Sequence, residues 1–507
     1  MRAWFIAGIV SSVLVLFTLV ICSITAFYAE ENWRGWHEWT NAKAEIESHG
    51  ISFDRQVLLP KPVLDAQNFA AIPLLKSSQS ATYPYSWRSP ALDLAIGFIR
   101  KRIPSTQDEG NRPDYFPYSG PMQKIDPALM SDRIAKIGSE LSPPIQVPST
   151  ASATEGLELL CPALVQLRHQ NSERPACLFT RNFDRQPPYA PSFGPALTVI
   201  SLFRVLSLEE QVALQENNLP VVIEDMQVGW KLLEGLAHEP YLVSGLTACV
   251  PIQLQSNVVA VGIDRHSFNE SQLEQIESQL RAIDLLKDSR FWIIGDIVDY
   301  DLPYCAYYRR HRFVSEDEME VLQGTFLPGG TKPTGLSFVA FWLTPSGWFR
   351  LDNAAYTRCR LLGTLEAFHP EEHRVYPNRL EVTESAMQKQ NSWVFWDETL
   401  AGKSKMFPNT LKSFAFAQAR LDEALIAIQL ERYHLQYGKY PLKLGQLNGQ
   451  LPCDVMSGED YIYKLQANDT FNLYSVGWNQ KDDGGSAPAQ GEAQKDGADW
   501  LWPRMKD

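Results

Sequence analysis

Residues 4–29, WFIAGIVSSVLVLFTLVICSITAFYA, decide the architecture of this chain, because they contain no Asp, Glu, Lys, Arg or His. As an α-helix rising ~1.5 Å per residue, this stretch reaches about 39 Å and exceeds the ~30 Å hydrocarbon core of a bilayer. We therefore predict one transmembrane helix, through which the protein contacts the membrane. The rest of the chain then lies on one side of that membrane.

The transmembrane helix is predicted to be an uncleaved signal anchor. A secretory signal has a shorter apolar region, of about 7 to 15 residues, and ends at a small-x-small cleavage site. The pairs Phe27/Ala29 and Ile24/Ala26 fit such a site poorly. Arg2 and the α-amino group precede the apolar stretch and favour a cytoplasmic N-terminus. We expect a single-pass protein of the bacterial inner membrane, with the bulk of the chain exported to the periplasm.

Aromatic residues flank the apolar stretch, as is typical of the two membrane–water interfaces. They are Trp4 on one side and Phe27, Tyr28, Trp33, Trp36 and Trp39 on the other. Beyond the stretch, tryptophans recur at helical spacing, and Gly50 suits the position that follows a helix end. We predict that the helix continues outward as a short stalk over residues 30–50.

The composition favours globular domains and disfavours one class of partner. Hydrophobic residues make up 45% of the chain and charged residues 21%, which suffices for real cores. The net charge of −13 argues against nucleic acid, because that affinity comes from clustered Lys and Arg. The seven cysteines permit disulfides in an oxidising compartment, but their spacing matches no zinc site.

The fold class is predicted as mainly α (α+β), with an N-terminal transmembrane helix, a helical middle domain, and a C-terminal helix plus a small antiparallel sheet. Proline fixes φ and removes an N–H donor, so the proline-rich part after the stalk allows only short helices. After the anchor at 1–29 and the stalk at 30–50, the predicted parts are a Pro-rich wrapping segment at 51–194, a helical bundle at 195–312, a mixed α/β segment at 313–408 and a C-terminal domain at 409–507.

Runs of helix length start near Pro195, Pro220, Pro240, Ser267 and Lys287. Alternate starts are 45 residues apart from Pro195 to Pro240 and 47 apart from Pro220 to Ser267, as in HEAT-type helix pairs. No repeat consensus accompanies them, so we favour an antiparallel bundle. Residues 240–263 are uncharged, yet polar residues cluster at 253–257, where hydrocarbon would leave them unpaired. We predict a buried helix there and no second transmembrane span.

Two apolar runs in the mixed segment are predicted as strands or as other buried apolar runs. They are LSFVAFWL at 336–343 and GWFRL at 347–351, and the Pro-Ser-Gly sequence at 345–347 predicts a turn between them.

The string HPEEH at 369–373 raises the possibility of an enzyme. It fits the H-x-x-E-H pattern, in which two histidines one helical turn apart bind zinc and the glutamate acts as base. That alternative makes this a membrane-anchored metallohydrolase using His369, Glu372 and His373. Pro370 and Pro377 confine any helix here to about one turn, so we favour a charged surface turn.

The C-terminal part has the clearest pattern. A helix is predicted from Asn409 or Thr410 to Tyr437, where Gly438 ends it. Two alternating runs follow at 461–466 and 471–476, around Asn-Asp at 468–469, which indicates a hairpin. The chain closes with VGWNQKDDGG at 476–485, a Gly/Ala/Gln-rich loop, and DWLWP at 499–503.

This order of motifs resembles a known family. A helix, YGKYP at 437–441, the Y-x-Y of Tyr461 and Tyr463, NLYSVGWNQKDDGG at 472–485 and the pair Asp499-Trp500 are similar to the C-terminal globular domain of major pseudopilins of type II secretion systems. The resemblance covers residues 409–503. With ENWRGWHEW after the anchor, the layout of the whole chain also resembles a group of large single-pass bacterial envelope proteins.

The resemblance to pseudopilins implies a calcium ion in the loop after the last strand. Carried over position by position, it implicates Ser475 and the backbone near Leu473 or Val476. The other candidate oxygen ligands that it implies are Asn479, Asp482, Asp483 and Asp499. Carboxylate, amide and carbonyl oxygens suit this ion, which takes six to eight oxygen ligands. A solvated Asp/Gly turn is the alternative.

These patterns predict a membrane-anchored exported protein that acts by binding or assembly, with an envelope protein as partner. The alternatives are the metallohydrolase that uses the HPEEH string, and a structural spacer of the envelope.

Overall fold

The described part of the chain is mainly helical and carries two small antiparallel sheets, which confirms the predicted fold class. The structure is a computed structural model. It describes residues 2–79, 127–141, 143–179, 194–316, 318, 335–380, 407–467, 469–485 and 498–504.

The helices of the described ranges are α1 (Arg2–Ser48), α2 (Arg55–Leu58), α3 (Pro73–Gln79), α4 (Pro127–Glu140), α5 (Ala153–Leu160), α6 (Ala163–Glu173), α7 (Gly194–Gln215), α8 (Leu219–Ala237), α9 (Leu242–Asp264), α10 (Glu270–Arg281), α11 (Leu285–Gly295), α12 (Leu302–Arg310), α13 (Gly335–Leu343), α14 (Ser346–Ala367) and α15 (Phe407–Tyr437). A π-helical turn, Asp296–Asp301, joins α11 to α12. The strands are β1 (Phe368–His369), β2 (Arg374–Val375), β3 (Ile462–Leu465), β4 (Phe471–Ser475) and β5 (Trp500–Leu501).

Helix α1 runs without a break from the apolar stretch into the globular body. The side chains of residues 11–27 are exposed, whereas Ala42 and Ile46 are fully buried. Gly50 follows the helix end with a φ of +79°, a left-handed conformation that favours glycine. The predicted continuation of the helix is confirmed, but residues 30–48 lie against α14 and do not project as a free stalk.

Close backbone contact joins α1 to α14. A Cβ atom on Gly35 would overlap the backbone of Gly347, and one on Gly347 would overlap the backbone of Glu31. The N–H of Gly347 donates to Asn32 Oδ1 at 2.7 Å, so α1 caps an N–H that the start of α14 leaves without a helical partner. The two helices therefore need glycine at their contact.

The prediction of strands at 336–343 and 347–351 is wrong. The first run lies in α13 and the second opens α14, with Pro345 between them as the N-cap residue. A short apolar run fits a buried helix as well as a strand by pattern alone. Here α14 continues for 22 residues, a length that strands do not reach.

Helices α7 to α11 form the bundle predicted for residues 195–312. Helix α9 contacts α7, α8, α11 and the C-terminal helix α15. The most apolar window of α9 is 78% buried, which supports the predicted buried helix. Because α15 comes from the far end of the chain, the arrangement is a bundle and not a stack in which each repeat contacts only its neighbours.

The described parts of the predicted wrapping segment contact the bundle through α3, which packs against α7. Within the segment, Asn68 joins two stretches that are distant in sequence. Its Nδ2 donates to the carbonyl oxygen of Leu178 at 2.8 Å, and its Oδ1 accepts the N–H of Leu178 at 2.8 Å. Phe69 beside it is fully buried. Other parts of the wrapping segment (80–126, 142 and 180–193) and of the mixed segment (317, 319–334 and 381–406) lie outside the described residues.

The C-terminal sheet packs on α15 in the order β3-β4-β5. Ile462 pairs with Tyr474, and Ser475 with Trp500, both antiparallel, so the predicted hairpin is confirmed. One hydrophobic core runs from Ile46 to Trp502 and includes residues of every predicted segment beyond the anchor. The boundaries within that core stay predictions.

Candidate functional site

Ser475, the first candidate calcium ligand, forms a hydrogen bond with Asp454, which was not among the predicted site residues. Its hydroxyl donates to Asp454 Oδ1 at 2.7 Å, and the N–H of Val476 donates to Asp454 Oδ2 at 3.1 Å. Asp454 is buried and also accepts the N–H of Met456 at 3.0 Å. This carboxylate therefore fixes the end of β4, where the candidate calcium loop begins.

The other four candidate ligands lie together in the loop between β4 and β5. Asp499 Oδ1 accepts the N–H of Asp483 at 3.2 Å, and its Oδ2 accepts the N–H of Gly485 at 2.7 Å. Asn479 Nδ2 donates to Asp483 Oδ2 at 2.9 Å, and Asp482 Oδ1 accepts the N–H of Gly484 at 2.8 Å. Hydrogen bonds thus hold the acidic loop closed across Asp499.

Charge is concentrated in this loop. Burial raises the pKa of Asp499 above its ordinary value, and the charges of Asp482 and Asp483 raise it further against the two N–H donors. The N–H of Gly484 and the hydroxyl of Tyr474 lower the pKa of Asp482. Each bonded carboxylate oxygen keeps a second lone pair, so these side chains fit a hard cation. Within the described residues their oxygens do not converge within 4.8 Å, so an ion would have to draw them together.

The HPEEH string forms a turn and not the helix that a zinc hydrolase needs. Pro370–Glu372 is a 3₁₀ turn between β1 and β2, and His373 after it has a left-handed φ of 51°. His373 Nε2 lies 2.8 Å from Asp422 Oδ2, whereas His369 Nε2 lies 3.1 Å from Arg379 Nη1. Because the two imidazoles contact different partners, the structure supports the turn interpretation.

His373 instead ties the β1–β2 turn to α15. Its partner Asp422 is buried and also accepts the hydroxyl of Tyr461 at 2.9 Å and Gln418 Nε2 at 3.0 Å. Burial opposes the charged imidazolium, but the hydrogen bond and the charge of Asp422 raise the pKa of His373 above its ordinary value. This network is a structural link between three elements.

A second candidate metal centre, absent from the sequence analysis, consists of His266, Glu431 and His434. Their ligand atoms lie within 4.8 Å of one another. Glu431 and His434 stand one turn apart on α15, and His266 follows the end of α9. In the sequence, the spacing Glu-x-x-His of Glu431 and His434 could have indicated a pair of metal ligands. The third member, His266, lies 165 residues from Glu431 and could not be found from spacing.

The geometry of this centre favours hydrogen bonding over metal binding. His266 Nδ1 lies 2.8 Å from Glu431 Oε1, and the hydroxyl of Tyr440 donates to Glu431 Oε2 at 2.8 Å. The rings of His266 and His434 stack with centroids 4.2 Å apart and planes 10° from parallel. A zinc ion takes imidazole nitrogens at ~2.0–2.1 Å along their lone pairs, so one ring would have to rotate for both to bind.

Buried carboxylates also cluster in the bundle, between α6, α7 and α8. Arg168 Nη1 donates to Glu209 Oε2 at 3.1 Å and to Asp225 Oδ1 at 2.8 Å. Burial raises the pKa of Glu209 and that of Asp225 above their ordinary values, and the charge of Arg168 opposes both shifts. Glu210 accepts Gln255 Nε2 at 2.7 Å, and burial raises its pKa to about 8. Arg168 offsets part of this negative charge, and the burial of the remaining carboxyl groups favours their protonated form.

All seven cysteines are free thiols, and five of them are buried. Burial raises the pKa of Cys161 to about 11, so this thiol is protonated at neutral pH and is no nucleophile. The exposed cysteines are Cys22 and Cys453.

Comparison of the chain with protein-family models, with curated proteins and with solved structures finds no match.

Proposed function

We propose that this protein is a single-pass protein of the bacterial inner membrane that holds a binding or assembly body on the periplasmic face. The observation that carries this proposal is the continuity of α1. Its apolar part is exposed along residues 11–27, and the same helix then enters the body without a break. Such a helix transmits the position of the anchor directly to the domains.

Contacts along α14 support a rigid connection between anchor and body. Trp348 Nε1 donates to Glu31 Oε2 at 2.7 Å, and Arg358 forms ion pairs with Glu38 and Glu45 farther along α1. The later residue of α14, Arg358, contacts the later residue of α1, Glu45, and the earlier Trp348 contacts the earlier Glu31. The two helices therefore run in the same direction. The contact therefore extends over most of the part of α1 beyond the apolar stretch.

Further contacts connect α14 to the helical bundle. The hydroxyl of Tyr356 donates to Asp301 Oδ2 at 2.6 Å, in the π-helical turn that follows α11. Arg360 Nη1 lies 3.5 Å from the same oxygen. Both Tyr356 and Arg360 are buried. An anchor coupled in this way to the bundle suits a scaffold that presents a partner-binding surface at a fixed height above the membrane.

The pseudopilin-like C-terminal part is the proposed binding element, and calcium is its proposed cofactor. The acidic loop that carries Asp482, Asp483 and Asp499 supports this, because its carboxylates are gathered around one strand end. When bound, the ion would neutralise these charges and stiffen the loop.

The chain provides its own reporter of topology. Cys453 is exposed in the C-terminal part, and Cys22 lies within the apolar stretch. In cells with a permeabilised outer membrane, we expect a membrane-impermeant maleimide to label the intact protein, and Cys453→Ser to abolish the label. Labelling of Cys453 only after the inner membrane is lysed would contradict the exported orientation.

A further inference from the structure

An apolar patch lies next to the point where α1 leaves its apolar stretch. The patch consists of Phe313, Val339, Trp342 and Leu343, of which Phe313 is 87% exposed and Trp342 53%. The rings of Phe313 and Trp342 are 6.4 Å apart, so these residues form one surface. Helix α13, which carries three of them, contains no charged residue.

Contacts with α1 fix the height of this patch. The hydroxyl of Tyr28 donates to the carbonyl oxygen of Leu343, and the ring of Phe27 meets that of Trp348 edge-on at 6.5 Å. Phe27 and Tyr28 are the last aromatic residues of the apolar stretch at 4–29. If α1 spans a bilayer, the patch lies where hydrocarbon gives way to headgroups, the depth that tryptophan prefers.

Positive charge gathers beside the patch in an arginine cluster of Arg309, Arg310, Arg312 and Arg350. Burial lowers the pKa of Arg309, and the neighbouring charges of Arg350 and Arg310 lower it further, which reflects their closeness. The Arg312 guanidinium lies over the ring of Phe349 at 4.5 Å and donates to the carbonyl oxygen of Phe341 in α13 at 3.2 Å.

The other three arginines have no carboxylate within ion-pair distance in the described part of the chain. The ion pairs found there belong to other residues. In a protein with a net charge of −13, this local concentration of positive charge attracts anions. Anionic phospholipid headgroups lie at that depth.

We propose that the apolar patch and the arginine cluster form a second membrane contact, here called the seat. Through the seat, the body binds the anionic headgroups of the bilayer that α1 crosses. This inference rests on the proposed function, because it needs α1 to span. A surface with exposed large apolar side chains and adjacent arginines is the composition that binds in the plane of an anionic interface. The seat would fix the tilt of the body, which a single helix alone leaves free.

Depth-resolved fluorescence quenching tests the seat in the full-length protein. Cys22→Ser and Cys453→Ser remove the exposed thiols, and Val339→Cys then carries an environment-sensitive fluorophore in nanodiscs of phosphatidylcholine with phosphatidylglycerol. We expect lipids with a shallow nitroxide to quench the probe at Val339→Cys at least twofold more than a probe at Ser48→Cys. Ser48 lies 20 residues beyond Tyr28 along α1, which places it about 30 Å farther from the bilayer. Equal, weak quenching at both positions would overturn the inference.

A probe at Ile24→Cys separates this inference from the proposed function. Ile24 is 52% exposed within the apolar stretch, and lipids with a deep nitroxide should quench its probe strongly. If Ile24→Cys is quenched and Val339→Cys is not, the span stands and the seat is refuted. If neither is quenched, the span itself is refuted.

Charge removal tests the arginine cluster. The triple variant Arg309→Gln/Arg310→Gln/Arg350→Gln is compared with the parent in discs with phosphatidylglycerol. An arginine near such a surface contributes ~1 kcal/mol to binding. Each substitution should therefore lower the ratio of protein with its body on the bilayer to protein with its body off the bilayer about fivefold. In phosphatidylcholine alone, the variant should match the parent. Unchanged quenching of Val339→Cys in the anionic discs would contradict the electrostatic part, and quenching that needs two copies per disc would assign the patch to a second protein copy.

Discussion

Gly35 of α1 lies directly against the backbone of Gly347 of α14, with no room for a Cβ atom on Gly35, and the backbone of Glu31 leaves none on Gly347. This contact joins the anchor helix to the rest of the protein. Since the obstacle on each side is main chain, repacking of a flexible side chain cannot relieve a clash there.

We expect Gly347→Ala to destabilise the folded protein by about 1–3 kcal/mol, because the added methyl group must push α1 away from α14. The matched control is Gly335→Ala, at the start of α13, where a Cβ atom meets nothing within 4 Å. Thermal unfolding in detergent should separate the two variants. Equal stability of Gly347→Ala and Gly335→Ala would contradict the close contact.

The buried Glu210 predicts a dependence of stability on pH. Its pKa lies at about 8 in the folded protein against an ordinary 4.5, mainly because it is buried. Such a group holds a proton that the unfolded chain releases, so its contribution to stability is complete below pH 4.5 and is lost as pH rises through about 8.

Glu210→Gln should remove that dependence. Relative to the parent, we expect the variant to gain as much as about 4 kcal/mol between pH 5 and pH 9, measured by chemical unfolding. Glu274→Gln, at an exposed position of α10, is the control and should follow the parent at every pH. A gain in both variants, or in neither, would show that Glu210 does not hold the proton.

Tyr440 donates its hydroxyl to the buried carboxylate of Glu431, and this bond predicts a stability difference. We expect Tyr440→Phe to cost about 1–3 kcal/mol, since the carboxylate loses a donor that water cannot replace. Tyr437→Phe is the matched control, because Tyr437 is 51% exposed at the end of α15, the helix that carries Glu431. Its change should stay within about 0.5 kcal/mol. Similar costs for the two variants would refute the role of the bond.

Calcium should raise the melting temperature if the loop between β4 and β5 binds it. At about 100 times the dissociation constant, a bound ligand adds ~2.7 kcal/mol to the free energy of unfolding. Asp483→Asn should abolish the shift, whereas Asp460→Asn, at an exposed acid before β3, should keep it. The melting temperature of the parent protein is compared in chelator and in excess calcium. Equal values would show that the loop does not bind calcium.

The sequence predicted those parts of the fold that depend on composition along one segment. The apolar stretch of α1, the buried helix α9 and the hairpin of β3 and β4 each carry their pattern locally. The strand prediction for α13 and for the start of α14 was wrong because apolar runs of eight and five residues do not distinguish a strand from a helical segment. The packing of Gly347 on Gly35 lies outside any local window.

The candidate site was less predictable, because its decisive partners are distant in sequence. Asp454 holds Ser475 across 21 residues, and Glu431 meets His266 across 165. The string HPEEH had the right letters for zinc, but Pro370 and the left-handed His373 prevent the helix that would align them. Spacing alone cannot report such tertiary contacts.

Extraction of membranes with alkaline carbonate distinguishes a chain that crosses the bilayer from one that is bound to its surface. The account predicts that the full-length protein stays in the membrane pellet and is released only by detergent, because residues 4–29 cross the bilayer. A matched variant that lacks residues 4–29 should appear in the soluble fraction. Recovery of the intact, full-length chain in the carbonate supernatant would contradict the claim that α1 anchors this protein.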